Sequence, residues 1–166
     1  MTAISTTLRE SVYVGCSAKD AHRYLIAHFI TRNRVAPPVV LRVPVGDLAL
    51  DHPVVMTLSD MPSRAGEFVM EVSWSATDGG PYPTFIGSLA CLPETAIRSR
   101  IELEGAYTIP GGPIGKAFDA AIGHRIAEAA AHSLMDTLFE IIENARDIEL
   151  AANPKTVAAA YPPTYE

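Results

Sequence analysis

From Ile114 to Arg146 the chain carries no proline and is rich in alanine. Phe118, Ile122, Ile126, Ala130, Leu134, Leu138, Ile141 and Ile142 recur there at the spacing of one helical face. Pro110-Gly111-Gly112-Pro113 precedes the stretch, and Pro113 suits the first turn of a helix. At a rise of 1.5 Å per residue such a helix is about 50 Å long. A rod of that length with one apolar stripe needs a partner that covers it end to end.

The rest of the chain supplies that partner as strands. Leu8 to Gly15 is β-rich and reads as a first strand. Ser17 then reads as a helix N-cap, with Asp20 three residues on. Ala21, Leu25 and Phe29 continue at helical spacing, and Pro37-Pro38 predicts an end near Arg34. Beyond Val39 the period changes to two. Strands are predicted over Val39–Val45, Val54–Leu58, Gly66–Ala76, Thr84–Leu92 and Ile97–Thr108, with turns at Gly46-Asp47, Asp78–Pro81 and Pro93–Thr95. One-sided alternation points to an antiparallel sheet with one covered face and one wet face. Strand, helix, a run of strands and a long helix make an α+β chain: a curved antiparallel β-sheet wrapped around a long C-terminal α-helix.

The 166 residues suit one domain, expected over 1–150, with a proline- and alanine-containing tail over 151–166. Hydrophobic residues make up 48% and charged residues 19%, which is globular rather than disordered composition. Nineteen acidic residues against thirteen basic ones give a net charge of -6, which argues against nucleic acid and against an anionic membrane surface. No stretch has the length of a signal peptide or a spanning helix, and the expected location is cytoplasmic. Cys16 and Cys91 share no metal-type spacing and read as small buried residues in a reducing compartment. No cofactor is indicated, and a homo-oligomer stays open.

The stretch SRIELEGAYTIPGGPIGKAFDAAIGHRIAEAAAHSLMDTLFEII, from Ser99 to Ile142, resembles the last strand and long helix of the START-like (SRPBCC) superfamily, including its polyketide cyclase-like bacterial members. The Gly-x-Tyr ending at Tyr107, the Gly-Pro-x-Gly at Gly112 to Gly115 and the Arg beside Ile126 carry the likeness. VYVGCSAKDAHRYL at the front resembles the family's first strand and helix. Two features depart from it: no glycine-rich loop lies between Val39 and Leu58, and no second short helix is evident between Arg34 and Val39. The resemblance implies the helix-grip fold and a cavity between sheet and helix for a hydrophobic small molecule. Family members include lipid carriers, hormone receptors, aromatic polyketide cyclases and co-chaperones, so fold does not select among functions.

On the predicted register Phe68, Met70, Val72 and Trp74 face inward from one strand, and Ser99, Ile101, Leu103, Gly105 and Tyr107, with Ile97, from another. Phe118 and Ile122 join them from the helix, and Tyr82 is a further aromatic wall. The strand between is ambiguous: Phe85, Gly87, Leu89 and Cys91 alternate with Thr84, Ile86, Ser88 and Ala90. The same apolar faces serve equally well as a solid core. Glycines at 87 and 105 fit either ligand room or a bend.

His124, Glu128, His132, Asp136 and Glu140 recur every four residues on the helix. The row drifts by about 40° per step and lies mainly off the apolar stripe, so a salt-bridged, solvated face explains it better than a metal site. Asp60, His52, His28 and Arg125 are candidate rim groups, and no nucleophile triad stands out. Three functions follow: a carrier or sensor of a hydrophobic small molecule, aromatic ones included; a cyclase or aromatase in which Tyr107, Tyr82 or a rim His protonates an enolising carbonyl; or an interaction protein whose sheet or long helix docks another chain, with the tail assisting.

Overall fold

A computed structural model describes residues 4–31, 39–45, 48–62, 67–77, 84–109 and 120–153. Six strands form one fully antiparallel sheet: β1 (Ile4–Val14), β2 (Val39–Val45), β3 (Leu48–Asp60), β4 (Phe68–Ala76), β5 (Thr84–Thr95) and β6 (Arg98–Ile109). The spatial order is β1-β6-β5-β4-β3-β2, so strands one and two occupy opposite edges. α1 (Ala18–Ile26) and a π-helical turn (Ala27–Thr31) lie between them in sequence. The long helix, α2 (Ala120–Ala152), closes the fold.

Ser17 caps α1 as its sequence position predicts. Its hydroxyl oxygen accepts from the Asp20 amide at 3.1 Å and its O–H donates to the Asp20 carboxylate at 2.7 Å. Ala18, Ala21, Tyr24 and Leu25 bury one face of the helix. α1 packs over the β4, β5 and β6 end of the sheet. The expected end near Arg34 and the turns at Gly46-Asp47 and Asp78–Pro81 lie outside the described residues.

β3 is longer than the sequence pattern predicts, starting at Leu48 instead of Val54. Pro53 does not interrupt it: β4 ends opposite Val54, and among the described residues, 48–53 form their ladder with β2, while the Thr77 amide donates to the Pro53 carbonyl at 3.3 Å. β1 likewise starts at Ile4, carried through polar Ser5, Thr6 and Thr7 by pairing with β6. The turn predicted at Pro93–Thr95 falls two residues later: β5 continues to Thr95, with a register shift around Glu94, and Ala96-Ile97 makes the hairpin loop. Ile97 is therefore a turn residue, exposed rather than inward-facing.

α2 runs 33 residues, about 50 Å, and ends at Ala152, beyond the expected stop near Arg146. The predicted stripe is buried from Ile126 through Ala130, Leu134, Leu138 and Ile142, and Met135 joins it. The helix packs mainly on the two edge strands, β1 and β2, and much less on the strands between. Polar bonds fasten both edges. On one side the Arg42 amide of β2 donates to the Ser133 hydroxyl at 3.0 Å. On the other the Gly15 amide donates to Glu143 at 2.7 Å, and Arg146 donates to the Gly15 carbonyl at 3.2 Å. These bonds satisfy edge groups that would otherwise invite pairing with another chain.

The far end of α2 is tied to α1. Glu149 accepts from Arg23 at 2.8 Å and from the Tyr24 hydroxyl at 2.7 Å. Those two donors hold the Glu149 carboxyl below its ordinary range. Burial, then the bond to Glu149, pushes the Tyr24 phenol up to about 12.

Candidate functional site

The sheet presents its concave face to α2, and the cross-strand registers stack that face in rows. One row reads Thr6, Tyr107, Phe85, Trp74 and Met56 across β1, β6, β5, β4 and β3. Trp74, Phe85 and Tyr107 are 4%, 1% and 1% exposed. The Trp74 and Phe85 rings stack at 4.1 Å, within 8° of parallel.

The next row contains no side chains at its centre. Gly87 pairs directly with Gly105, flanked by Leu8 and Val72. A methyl group on Gly87 would lie 2.8 Å from Phe85 Cζ, and one on Gly105 would lie 2.6 Å from the same atom. The Phe85 ring thus rests on bare backbone, with Trp74 stacked upon it. β5 settles its own ambiguity: Phe85, Leu89 and Cys91 are buried, while Ile86 is 65% exposed on the outer face.

Polar chemistry enters this aromatic row from the helix. The Tyr107 hydroxyl lies 3.2 Å from His124 Nδ1. His124 Nε2 lies 3.0 Å from the Glu128 carboxylate, one turn further along α2. A neutral imidazole donating from Nε2 to Glu128 keeps Nδ1 as the acceptor for the Tyr107 proton. Tyr107 is buried, whereas the His124 and Glu128 side chains are about half exposed, so the chain of groups runs from solvent to the interior. A second buried hydroxyl, Ser99 Oγ, has no hydrogen-bond partner among the described residues.

The sequence-selected strand residues that the structure describes share one face but spread along it. Trp74 and Tyr107 fall in the aromatic row, and Val72 in the glycine row. Met70 and Leu103 lie one row on, either side of Leu89. Phe68 and Ile101 flank Cys91 a row further, beneath α1, where Phe68 is partly buried and stacks on His22 with centroids 5.0 Å apart. Ser99 sits at the sheet end, paired with Val14 and Pro93. Ser99 and Tyr107 are thus about 26 Å apart along β6. Tyr82 and Phe118 lie outside the described residues, as does the side chain of Ile122.

Of the rim candidates, Asp60 pairs with His22 of α1 at 2.9 Å, His28 packs edge-on against Phe29, and Arg125 is exposed. The His52 side chain lies outside the described residues. The helical row contains the pairs His124–Glu128 and His132–Asp136, at 3.0 and 3.8 Å. Among the described residues no group of three His, Cys, Asp or Glu side chains is placed to hold a metal ion. Cys16 and Cys91 are free and buried. Burial pushes their thiols up to about 11 and about 12.

Two features escape a reading of the sequence. Phe85 is hidden by an apolar neighbour, Ile86, which blurs the period of two. His124 belongs to a polar row by spacing, and only the curl of β6 toward α2 brings it to Tyr107.

No family model matches the chain, and no curated protein matches it. Solved structures do. The ZhuI aromatase/cyclase from Streptomyces sp. R1128 is 16% identical over 90% of this chain and 99% of its own, with a TM-score of 0.51. A conserved protein from Geobacillus kaustophilus is 11% identical over 84% of this chain and 97% of its own, with a TM-score of 0.54. A START superfamily protein from Mycobacterium smegmatis overlaps more loosely, at 10% identity, 81% and 98% coverage and a TM-score of 0.42. At such identities the likeness concerns fold alone. The chain has an α+β helix-grip fold, a curled antiparallel sheet closed by a long C-terminal helix, as the first two of these structures do.

Proposed function

We propose that this protein is a carrier or sensor that holds an apolar, ring-bearing small molecule between the concave face of the sheet and α2. The observation that carries the reading is the row Trp74–Phe85–Tyr107 beside the bare Gly87–Gly105 pair. Flat, stacked rings seated on the bare backbone of two glycines suit contact with another flat ring. A helix fastened at both sheet edges spans the middle of that surface. Phe68, Met70, Ile101, Leu103 and Ser99 extend the same face, with Tyr82, Phe118 and Ile122 as further proposed walls. We place the protein in the cytoplasm as one domain over 1–150. Two free thiols support a reducing compartment, and no helix among the described residues is long and apolar enough to cross a membrane.

A second reading, a cyclase- or aromatase-like enzyme, is favoured by one observation, the Tyr107–His124–Glu128 chain. In that reading Tyr107 donates its proton to the oxygen of an enolising carbonyl, the unprotonated Nδ1 of His124 takes the carbon-bound proton, and the imidazolium then returns that proton to the Tyr107 oxygen. The fold likeness to an aromatase/cyclase supports the reading at the level of architecture only.

The test is titration with a neutral aromatic fluorophore such as 1-aminoanthracene, read beside urea unfolding. Trp74→Leu is expected to weaken binding at least tenfold in a protein that still folds cooperatively. Loss of stability with unchanged affinity would make Trp74 a plain core residue and refute the reading. Tyr107→Phe separates the two functions: a carrier keeps its affinity for the probe, whereas an enzyme loses turnover of an enolisable aryl ketone.

A further inference from the structure

A second concavity lies at the opposite end of the domain from the aromatic row. It is a cleft of about 640 Å³ between the β1–α1 junction, the tip of the β5–β6 hairpin and the last turns of α2. That volume is in the range of small-molecule sites. Val14, Cys16, Ile97 and Leu150 give it apolar walls. The neutral Cys16 thiol is part of that apolar character.

The hairpin tip is unusual in composition. Two-residue hairpin loops favour Asn, Asp and Gly. Here the loop is Ala96-Ile97, and Ile97 is 60% exposed over the cleft. Tyr13, 47% exposed, stands beside it on β1. Two large apolar side chains at the mouth of one cleft mark a surface suited to cover.

Among the described residues, the charges of the cleft are matched with one exception. Asp20 and Glu149 are each held by Arg23, at 3.0 and 2.8 Å. Arg146 is held by Glu143 at 2.6 Å and by the Gly15 carbonyl. Arg98 meets no carboxylate at ion-pair distance among the described residues. Its guanidinium carbon instead lies 4.5 Å from the centre of the Tyr13 ring, a cation–π contact that requires none of its N–H donors.

We propose that this cleft binds a small amphipathic carboxylate, with the apolar body against Val14, Ile97 and Leu150 and the carboxylate on the guanidinium of Arg98. The planar fork of an arginine matches a carboxylate in two parallel hydrogen bonds. The site is independent of the proposed interior site, which lies at the far end of β6.

The experiment is titration of the full-length, ¹⁵N-labelled protein with octanoate, followed by amide shifts, with octanol as the uncharged comparison. Octanoate is expected to shift the amides of Gly15, Cys16 and Ile97. Arg98→Gln should weaken octanoate about tenfold, the size of one lost charged hydrogen bond at an exposed site. Octanol should bind both proteins equally. Ile97→Ser, in an exposed turn where folding does not depend on the side chain, should weaken both ligands. No saturable shift at millimolar octanoate, or equal affinity of the Arg98→Gln protein, would overturn the proposal. Shifts confined to Trp74 and Tyr107 would overturn it too, while leaving the interior reading standing.

Discussion

Gly105→Ala tests the seating of Phe85 directly. The added methyl would lie 2.5 Å from the Ile86 carbonyl oxygen, 2.6 Å from Gly87 Cα and 2.6 Å from Phe85 Cζ. Two of those three atoms are backbone and cannot rotate aside. The third belongs to a ring already backed by Trp74 at 4.1 Å. Either β5 and β6 separate locally or the stacked pair slides. Overpacking of this kind costs about 1–3 kcal/mol. Restricting the unfolded chain returns about 0.4–1 kcal/mol. The net loss is about 1–2 kcal/mol, which lowers the melting temperature by roughly 2–8 °C for a chain of this size. Trp74 is the protein's single tryptophan, so its emission reads the stack without labelling. The expected result is a lower melting temperature with a shifted native-state emission spectrum. Gly87→Ala should act alike, and the double variant should lose less than the sum, because both methyls press on one ring. An unchanged or raised melting temperature with an unaltered spectrum would refute the proposition that the glycine pair exists to seat Phe85.

Glu149→Gln should cost up to about 1 kcal/mol at neutral pH, a small figure because the side chains of the Arg23 pair are 50% and 43% exposed. The native carboxyl lies below its ordinary value of 4.5, so its contribution is present above pH 4.5 and lost as pH falls through the lower native value. Denaturant midpoints of the two proteins should therefore converge in acid, and a gap that persists there would show that the ion pair is not its source. Ser99→Ala removes a buried hydroxyl that has no partner among the described residues, and should leave stability unchanged or raise it by up to about 1 kcal/mol. A clear loss in urea unfolding would show that Ser99 holds a polar partner.

Much of the architecture is legible in the residues because local and long-range preferences agree. Ser17 and Asp20 cap α1 by chemistry that needs nothing beyond four residues. In β4 the alternation of Met70, Val72 and Trp74 with Glu71 and Ser75 is the alternation of buried with exposed. Where the pattern misleads, tertiary context decides. Ala96-Ile97 has no turn chemistry and is a turn only because β5 and β6 pair on both sides of it. Pro53 looks like a strand breaker and is accommodated because, among the described residues, the ladder with β4 ends at Val54, so no strand partner there needs the missing N–H. The candidate site suffers from a different loss. A period of two tells which face a side chain takes, but not how far along the strand a ligand would sit. Phe68 and Trp74 are identical by that criterion, yet stand about 20 Å apart.

The sheet's own coverings narrow that choice. At the Phe68 end, α1 already lies over β4, β5 and β6, with Leu25 and Ala21 fully buried and His22 stacked on Phe68. A ligand there would have to displace a capped helix tied to Glu149. At the Trp74 end, among the described residues, α2 is the helix facing the concave surface, and it bears chiefly on the edge strands. The strands beneath its span carry the largest aromatic side chains next to the barest stretch of backbone, Gly87 and Gly105. Large rings beside missing side chains are a costly way to fill a core, since each glycine forgoes the burial of a side chain. A ligand proposed there would meet rings already held in a stack, with little rotamer freedom left to lose on binding. The proposed ligand is therefore placed at the level of Trp74, Phe85 and Tyr107, with His124 at its edge.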